Sequence, residues 1–274
     1  MNTQVILITG ATSGIGKATA KALLKKRHTV YVSGRNIDDL DELVELGGKA
    51  LELDVTQSES IQKAIKTITD EQNGVIDVLV NNAGYGLFGA VEDISLQDAR
   101  AQFDVNLFGL AAVTKEVLPY MRSKKAGTII NISSMAGKMY TPLGAWYHAS
   151  KHALEGWSDC LRIELKQFGI KVVVIEPGII KTNFGKTAGK SMVQRAGDGP
   201  YKSYTEKVAA GLKQMYGSNT GTPASEIGTL IATIVSSKKT KTRYVKGVLA
   251  KPSIFIRKWC GDRFFDWLLA KQLQ

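Results

Sequence analysis

The 274-residue chain is 44% hydrophobic and 22% charged, which excludes a disordered or fibrous protein and suits a single α/β domain over residues 1–274. No stretch nears the ~18 uninterrupted apolar residues of a membrane span, and the first apolar run, Val5 to Ile8, is too early and short for a signal peptide; a cytoplasmic chain is expected. The formal charge of +11 is lopsided, since from Lys181 onward 17 Lys or Arg face 5 Asp or Glu, a net +12 with no nucleic-acid recognition motif to use it.

That basic third could draw an anionic cofactor, an acidic ligand or a membrane surface, or simply be a solvated face. In chain order, "QVILITG" is a short apolar run ending in glycine, followed by helical spacing through Ile15, Ala18, Ala22 and Leu23. Strand, turn and helix then recur: "HTVYVSG" before a helix around Leu40 to Leu46, and "KALELDV" before one around Ile61 to Ile68. "IDVLVNNAG" precedes a long helical stretch, "GTIINISS" a helix at Ala145 to Phe168, and "IKVVVIEPG" comes last. These runs are rich in Val, Ile and Leu on both faces, as parallel strands covered on either side must be. The alternation predicts a Rossmann-type, doubly wound parallel sheet with right-handed crossovers, brought to about seven strands by a late "TRYVKG".

Past Pro177-Gly178 the rhythm fails. Residues 183–223 hold many Gly, Lys, Ser and Thr, with one helical candidate near Lys202 to Tyr216, and read as a mobile lid over the strand ends. The tail over 252–274 mixes aromatic and basic residues at roughly helical spacing, which suits a helix packed on its own domain, a dimer contact or an anchor on anionic lipid. Cys160 and Cys260 lack any metal-ligand spacing; neither a metal site nor a disulfide is expected, and both read as buried small apolar residues.

Three features carry chemistry. In "TGATSGIG", Gly10 allows a sharp turn, Gly14 lets backbone approach a phosphate, and Gly16 brings the following helix against the sheet with its N-terminus aimed at a pyrophosphate. After the second strand, where an acidic residue would favour ribose hydroxyls, stand Gly34 and Arg35; an arginine there suits a 2′-phosphate and hence NADP(H) over NADH. Asp54 is placed either to accept from an adenine amino group or to cap a helix, a role Thr56 could also fill. Tyr147 and Lys151 lie four apart on one helix face, and a cation close to a partly desolvated phenol is expected to lower its pKa toward a usable acid or base.

Together with "LDVT", "NNAG", the "VN" of "FDVNLFG", "NISS", "YHASK" and "PGIIKT", all in order, these elements resemble the compact, single-domain branch of the short-chain dehydrogenase/reductase family over roughly residues 3–182. The resemblance implies Tyr147 as general acid or base, Lys151 as its tuner and holder of the nicotinamide ribose, and Ser134 rather than Ser133 on the substrate oxygen. It implies Asn106 as holder of a proton-relay water. It further implies cofactor contacts from Gly10, Thr12, Ser13, Gly14, Ile15, Gly16, Arg35, Asp54, Val55, Asn81, Ala83, Gly84, Pro177, Gly178, Ile180 and Thr182, and a homodimer or homotetramer formed through the helices of Asn106 and Tyr147. The face of Trp157, Leu161 and Leu165 fits core or interface.

Met135, Met139, Tyr140, Leu143 and Trp146 are expected to line an apolar approach, pointing to a bulky steroid-, retinoid- or lipid-like carbonyl or alcohol. A non-catalytic NADP-binding sensor on the same fold is the rival reading; a nucleotide-sugar epimerase fits less well because of its different glycine spacing.

Overall fold

The computed structural model of the chain describes residues 3–216 and 221–271, so positions 217–220 of the expected lid and 272–274 of the tail lie outside the described residues. The first half runs β1 (Val5–Ile8), α1 (Gly14–Leu24), β2 (Thr29–Gly34), α2 (Asp41–Glu45), β3 (Lys49–Glu52), α3 (Ser58–Glu71), β4 (Val78–Asn81), α4 (Leu96–Phe103) and α5 (Leu110–Lys124). The second runs β5 (Gly127–Ile132), α6 (Ala145–Leu165), β6 (Ile170–Pro177), β7 (Ile180–Lys181), α7 (Phe184–Ala196), α8 (Lys202–Met215), β8 (Thr222–Pro223), α9 (Ala224–Val235), β9 (Arg243–Lys246), α10 (Ala250–Trp259) and α11 (Gly261–Lys271).

Seven strands form one parallel sheet in the order β3-β2-β1-β4-β5-β6-β9, the Rossmann-type doubly wound arrangement. Side chains alternate along each strand, so the apolar runs feed two cores at once. Ile6, Ile8, Val30, Val32, Val78 and Val80 pack with Leu23 of α1 and Ile227 and Ile231 of α9. Their neighbours Leu7, Tyr31 and Leu79 pack on the opposite face with Ile61 and Ile68 of α3, Val117 of α5 and Leu161 of α6. Leu165 joins that second layer and half-buried Trp157 packs against it. The strand order reverses between β1 and β4, and the loops that follow those strands part there to open a crevice at the carboxyl edge.

Two expectations need correcting. Residues 183–216 contain two helices, where the sequence suggested only α8. Helix α7 was hidden by Gly185 and Gly189, poor helix formers, yet Ala188 and Met192 stand four apart and bury against Val208, Ala209 and Leu212 of α8, so tertiary packing overrides propensity. Both cysteines are exposed: Cys160 on the outer side of α6 and Cys260 where α10 meets α11. No helix among the described residues is long and apolar enough to cross a membrane.

Candidate active site

The carboxyl edge holds a cleft of about 1220 Å³, built from the loops after β1, β2, β3, β4, β5 and β6 and roofed by α7. At its floor the turn after β1 takes positive φ at Gly10 (65°) and Gly14 (54°). A Cβ on Gly10 would sit 2.8 Å from Ala83 Cα, and one on Gly16 would strike the Gly10 carbonyl and lie 2.5 Å from Asn82 Nδ2. The turn therefore closes only with glycine, leaving the N-terminus of α1 on the cleft beside Ser13, whose side chain makes no cap hydrogen bond. Asn82 fastens the turn, donating to the Thr9 and Gly10 carbonyls at 3.0 and 2.8 Å, a residue sequence reasoning passed over in favour of its neighbour.

Of the predicted cofactor residues, Gly10, Thr12, Ser13, Gly14, Ile15, Arg35, Asp54, Val55, Ala83, Gly84, Tyr147, Lys151, Pro177, Gly178, Ile180 and Thr182 all line this cleft. Gly16 and Asn81 stand behind it. Asn81 spends its amide on Thr114 Oγ1 and Asn131 Oδ1, each at 3.0 Å, tying β4 to α5 and β5. Asp54 accepts from the backbone and hydroxyl of Thr56 at 2.9 and 2.7 Å, which closes a turn before α3, so neither residue caps that helix. Arg35 lies exposed at the cleft edge beside Gly34, with no carboxylate partner among the described residues.

Helix α6 presents Tyr147 and Lys151 to the same cleft, and Ser134 reaches it from the turn after β5, where its Oγ accepts from Ala136 N at 3.1 Å and its hydroxyl favours the charged form of Tyr147. Ser133 also borders the cleft, but its Oγ is buried without a hydrogen-bond partner among the described residues. Lys151 donates to the Ile132 carbonyl at 2.9 Å. The expected phenol-lowering effect of Lys151 is not present. Burial pushes Tyr147 up to about 12, against the opposing Ser134 hydrogen bond, and burial lowers Lys151 to about 8, with Glu155 pulling the other way. Both groups sit away from water, and the cost of charging them there sets the direction of each shift. At neutral pH the pair is a neutral phenol beside an ammonium.

His148, the residue after Tyr147, supports this arrangement. Its Nδ1 lies 3.0 Å from the Ala136 carbonyl, which only accepts, so Nδ1 carries the proton and Nε2 receives Thr141 N at 3.1 Å. The loop after Ser134 is thereby pinned to α6.

Asn106 occupies a turn of π-helix, Asp104–Gly109, between α4 and α5. Its Oδ1 accepts from Tyr85 N at 3.1 Å, and its Nδ2 donates to the Tyr85 carbonyl and Ser150 Oγ at 3.0 and 3.1 Å. It stands one layer behind the cleft, bracing the wall after β4.

The expected apolar approach is misplaced. None of Met135, Met139, Tyr140, Leu143 and Trp146 lines the cleft. Trp146 packs edge-on to Phe103 and against Leu87, while Tyr140 turns outward to Phe265 and Asp266 of α11. The wall comes instead from Phe184, Thr187, Ala188, Ser191 and Arg195 on one face of α7, with Leu87 and Tyr216. Phe184 lies 5.5 Å from the Tyr147 ring and 6.1 Å from Tyr216, and Phe88 closes on Tyr147 at 5.4 Å. The spacing of these five residues at three and four positions marks this face once the segment is taken as a helix.

A glycine-only turn on a helix N-terminus, at the strand-order reversal of a parallel sheet, defines a dinucleotide-binding site. Comparison with known proteins gives the family. The short chain dehydrogenase family model matches residues 4–192. A 3-ketodihydrosphingosine reductase of Bacteroides thetaiotaomicron is 36% identical over 271 residues, 98% of this chain and 97% of that one. A short-chain dehydrogenase structure from Streptomyces avermitilis superimposes with a TM-score of 0.80 at 30% identity, covering 98% and 94% of the two chains. An actinorhodin polyketide ketoreductase with NADPH gives 0.73 at 28%, covering 89% and 95%. The chain belongs to the short-chain dehydrogenase/reductase family of oxidoreductases.

Proposed function

We propose that the chain is an NADP(H)-dependent oxidoreductase acting on a carbonyl or secondary alcohol, with Tyr147 as general acid or base. The observation that carries this reading is the convergence of Tyr147, Ser134 and Lys151 on the cleft that also holds the glycine turn. The shape fits a dinucleotide: Cβ atoms would fill the cradle at Gly10 and Gly16, and the N-terminus of α1 stands ready for a pyrophosphate. When bound, the reduced nicotinamide supplies hydride. Tyr147, protonated at neutral pH, donates its Oη proton to the carbonyl oxygen, and Ser134 donates a hydrogen bond to that same oxygen. Lys151 holds the ribose hydroxyls. Asn106, committed to Tyr85 and Ser150, acts by positioning the wall after β4 rather than by holding a relay water.

Arg35 supports the preference for NADP(H), since no carboxylate among the described residues claims its charge. The substrate we assign is a long-chain, lipid-like ketone. Phe184, Ala188, Leu87 and Tyr216 supply apolar surface near Tyr147, Thr187, Ser191 and Arg195 suit a polar head, and the Bacteroides relative is named for such a ketone. The same reading takes residues 183–223 as the substrate lid, the chain as cytoplasmic, and its assembly as a homodimer or homotetramer through the helices of Asn106 and Tyr147, where Phe108, in the π-helical turn before α5, and Ile163 of α6 are exposed.

The deciding experiment is turnover and NADPH titration of Tyr147→Phe. Turnover should fall roughly 10²–10⁴-fold while NADPH affinity stays near that of wild type. A variant that reduces long-chain ketones as fast as wild type would end the reading, and a wild type that binds NADPH but turns over no carbonyl would favour the sensor.

A further inference from the structure

The C-terminal helices bury less than their composition suggests. Only Phe265 of the tail's aromatics is buried, at 2% exposure, held edge-on by Tyr140 at 5.2 Å. Phe255 and Trp259 of α10 are 62% and 66% exposed, and Phe264 and Trp267 of α11 are 45% and 55% exposed. They come in pairs. Phe255 and Trp259 stand one turn apart with ring centroids at 6.5 Å, and Phe264 and Trp267 lie 5.6 Å apart. At about 100° per residue, Phe264 and Trp267 fall within about 60° of each other on the side of α11 turned away from Phe265. The tail therefore packs by one face and offers aromatic rings on the other, flanked by exposed Leu249 at the start of α10.

The charges around these rings have a definite sign. Both acids of the tail are engaged: Asp262 pairs with Arg257 at 2.5 Å, and Asp266 accepts from Tyr140 Oη at 2.8 Å. Lys251, Lys258, Arg263 and Lys271 make no ion pair among the described residues. Two of these cations already lie against the exposed indoles, Lys258 at 4.9 Å from the Trp259 ring centre and Lys271 at 5.3 Å from that of Trp267. Aromatic rings with a polar edge, ringed by unpaired cations, suit a boundary where hydrocarbon meets negative charge. A second copy docking by the same face would bring the same positive charge to the contact and be repelled. None of the helices that were described can span a bilayer, so the contact is peripheral.

We propose that α10 and α11 form a docking surface for the anionic face of a lipid bilayer, with Phe255, Trp259, Phe264 and Trp267 entering the headgroup boundary and Lys251, Lys258, Arg263 and Lys271 pairing with lipid phosphates. The surface is rooted beside the cleft. Ile179, next to the cleft residue Gly178, pairs antiparallel with Val248, from which α10 begins two residues on. The docking goes beyond the proposed catalysis and does not depend on it.

The test is co-sedimentation of the full chain with vesicles of phosphatidylcholine, with and without phosphatidylglycerol, at low and high salt. Wild type should sediment with the phosphatidylglycerol vesicles, lose most of that binding in high salt, and ignore phosphatidylcholine alone. Trp259→Ser with Trp267→Ser should weaken the partition by about tenfold or more while reduction of a water-soluble ketone is unchanged. Lys258→Glu with Lys271→Glu, which leaves the aromatics intact, should weaken it as much. Wild type that fails to sediment with anionic vesicles, or variants that sediment equally well, would overturn the proposal. So would dimers that dissociate in the Trp variant without any vesicle binding, which would give the patch to a second copy. Loss of ketone reduction with vesicle binding intact would instead count against the catalytic reading alone.

Discussion

Lys151 carries an energetic cost that the proposed role would account for. Burial lowers its pKa to about 8, so folding disfavours its ammonium at neutral pH and the unfolded chain binds more protons between about pH 8 and the ordinary lysine value. In that window this group adds stability as pH rises, by about 3 kcal/mol in all, and the gain is lost as pH falls through 8. Lys151→Met should therefore match or exceed wild type in urea denaturation near neutrality, lack the rise above pH 8, and show no turnover. A variant clearly less stable than wild type at neutral pH would mean that the hydrogen bond to the Ile132 carbonyl matters more than desolvation. Tyr147 behaves in the opposite sense, since its raised pKa keeps the proton in place until about pH 12. The spacing of the two residues was legible in the sequence, but their electrostatics was not. Four residues on a helix fix which way two side chains point, whereas how far the phenol is desolvated depends on the rings of Phe88 and Phe184, remote in sequence, that pack against it.

At the level of elements, glycines in similar-looking contexts do opposite things. Gly16, one turn into α1, has no room for a methyl group beside the Gly10 carbonyl and Asn82, so Gly16→Ala should destabilise by about 1–3 kcal/mol and abolish tight NADPH binding in a fluorescence titration. Gly156, exposed in the middle of α6, would place a Cβ with nothing within 4 Å, and Gly156→Ala should raise stability by about 0.5–1 kcal/mol with unchanged turnover. Equal effects of the two in thermal denaturation would refute this distinction. The strands and crossover helices up to β6 were readable because each is a continuous apolar run or a periodic stripe of its own. Helix α7 is not readable in this way, because its stability comes from α8, and the cleft wall it carries is therefore expected from Met135, Met139, Tyr140, Leu143 and Trp146 instead. The two cysteines are exposed against expectation for a related reason: residue type gives a burial tendency, and only the helix face decides.

Across the whole molecule, the last sheet strand is held by a charge cluster that no local pattern announces. Arg243 of β9 reaches Glu155 and Asp159 of α6 at 3.0 and 2.6 Å and Glu176 of β6 at 3.2 Å, and Lys138 adds a second cation 3.0 Å from Glu155. Glu155 and Glu176 are both buried; burial first, then the Glu155 charge, pushes Glu176 up to about 7. Because that value is raised on folding, the favourable contribution of Glu176 is complete below its ordinary carboxyl range and is lost as pH rises through 7. Arg243→Met should cost about 3 kcal/mol, the low end for a broken buried pair because the guanidinium is partly exposed, and the deficit should widen from about pH 5 to about pH 8. A deficit that shrinks over that range in denaturant titrations would show that Arg243 is not what neutralises the pair.

Just beyond β6, Gly178 lacks the side chain that would collide with the Val248 carbonyl and lie 3.0 Å from Ala250 Cβ. One residue thus borders the crevice on one side and the base of the terminal helices on the other, with no slack between them. Reciprocity follows from thermodynamics: whatever displaces Val248 alters the grip on a ligand touching Gly178, and that ligand must resist the displacement by the same factor.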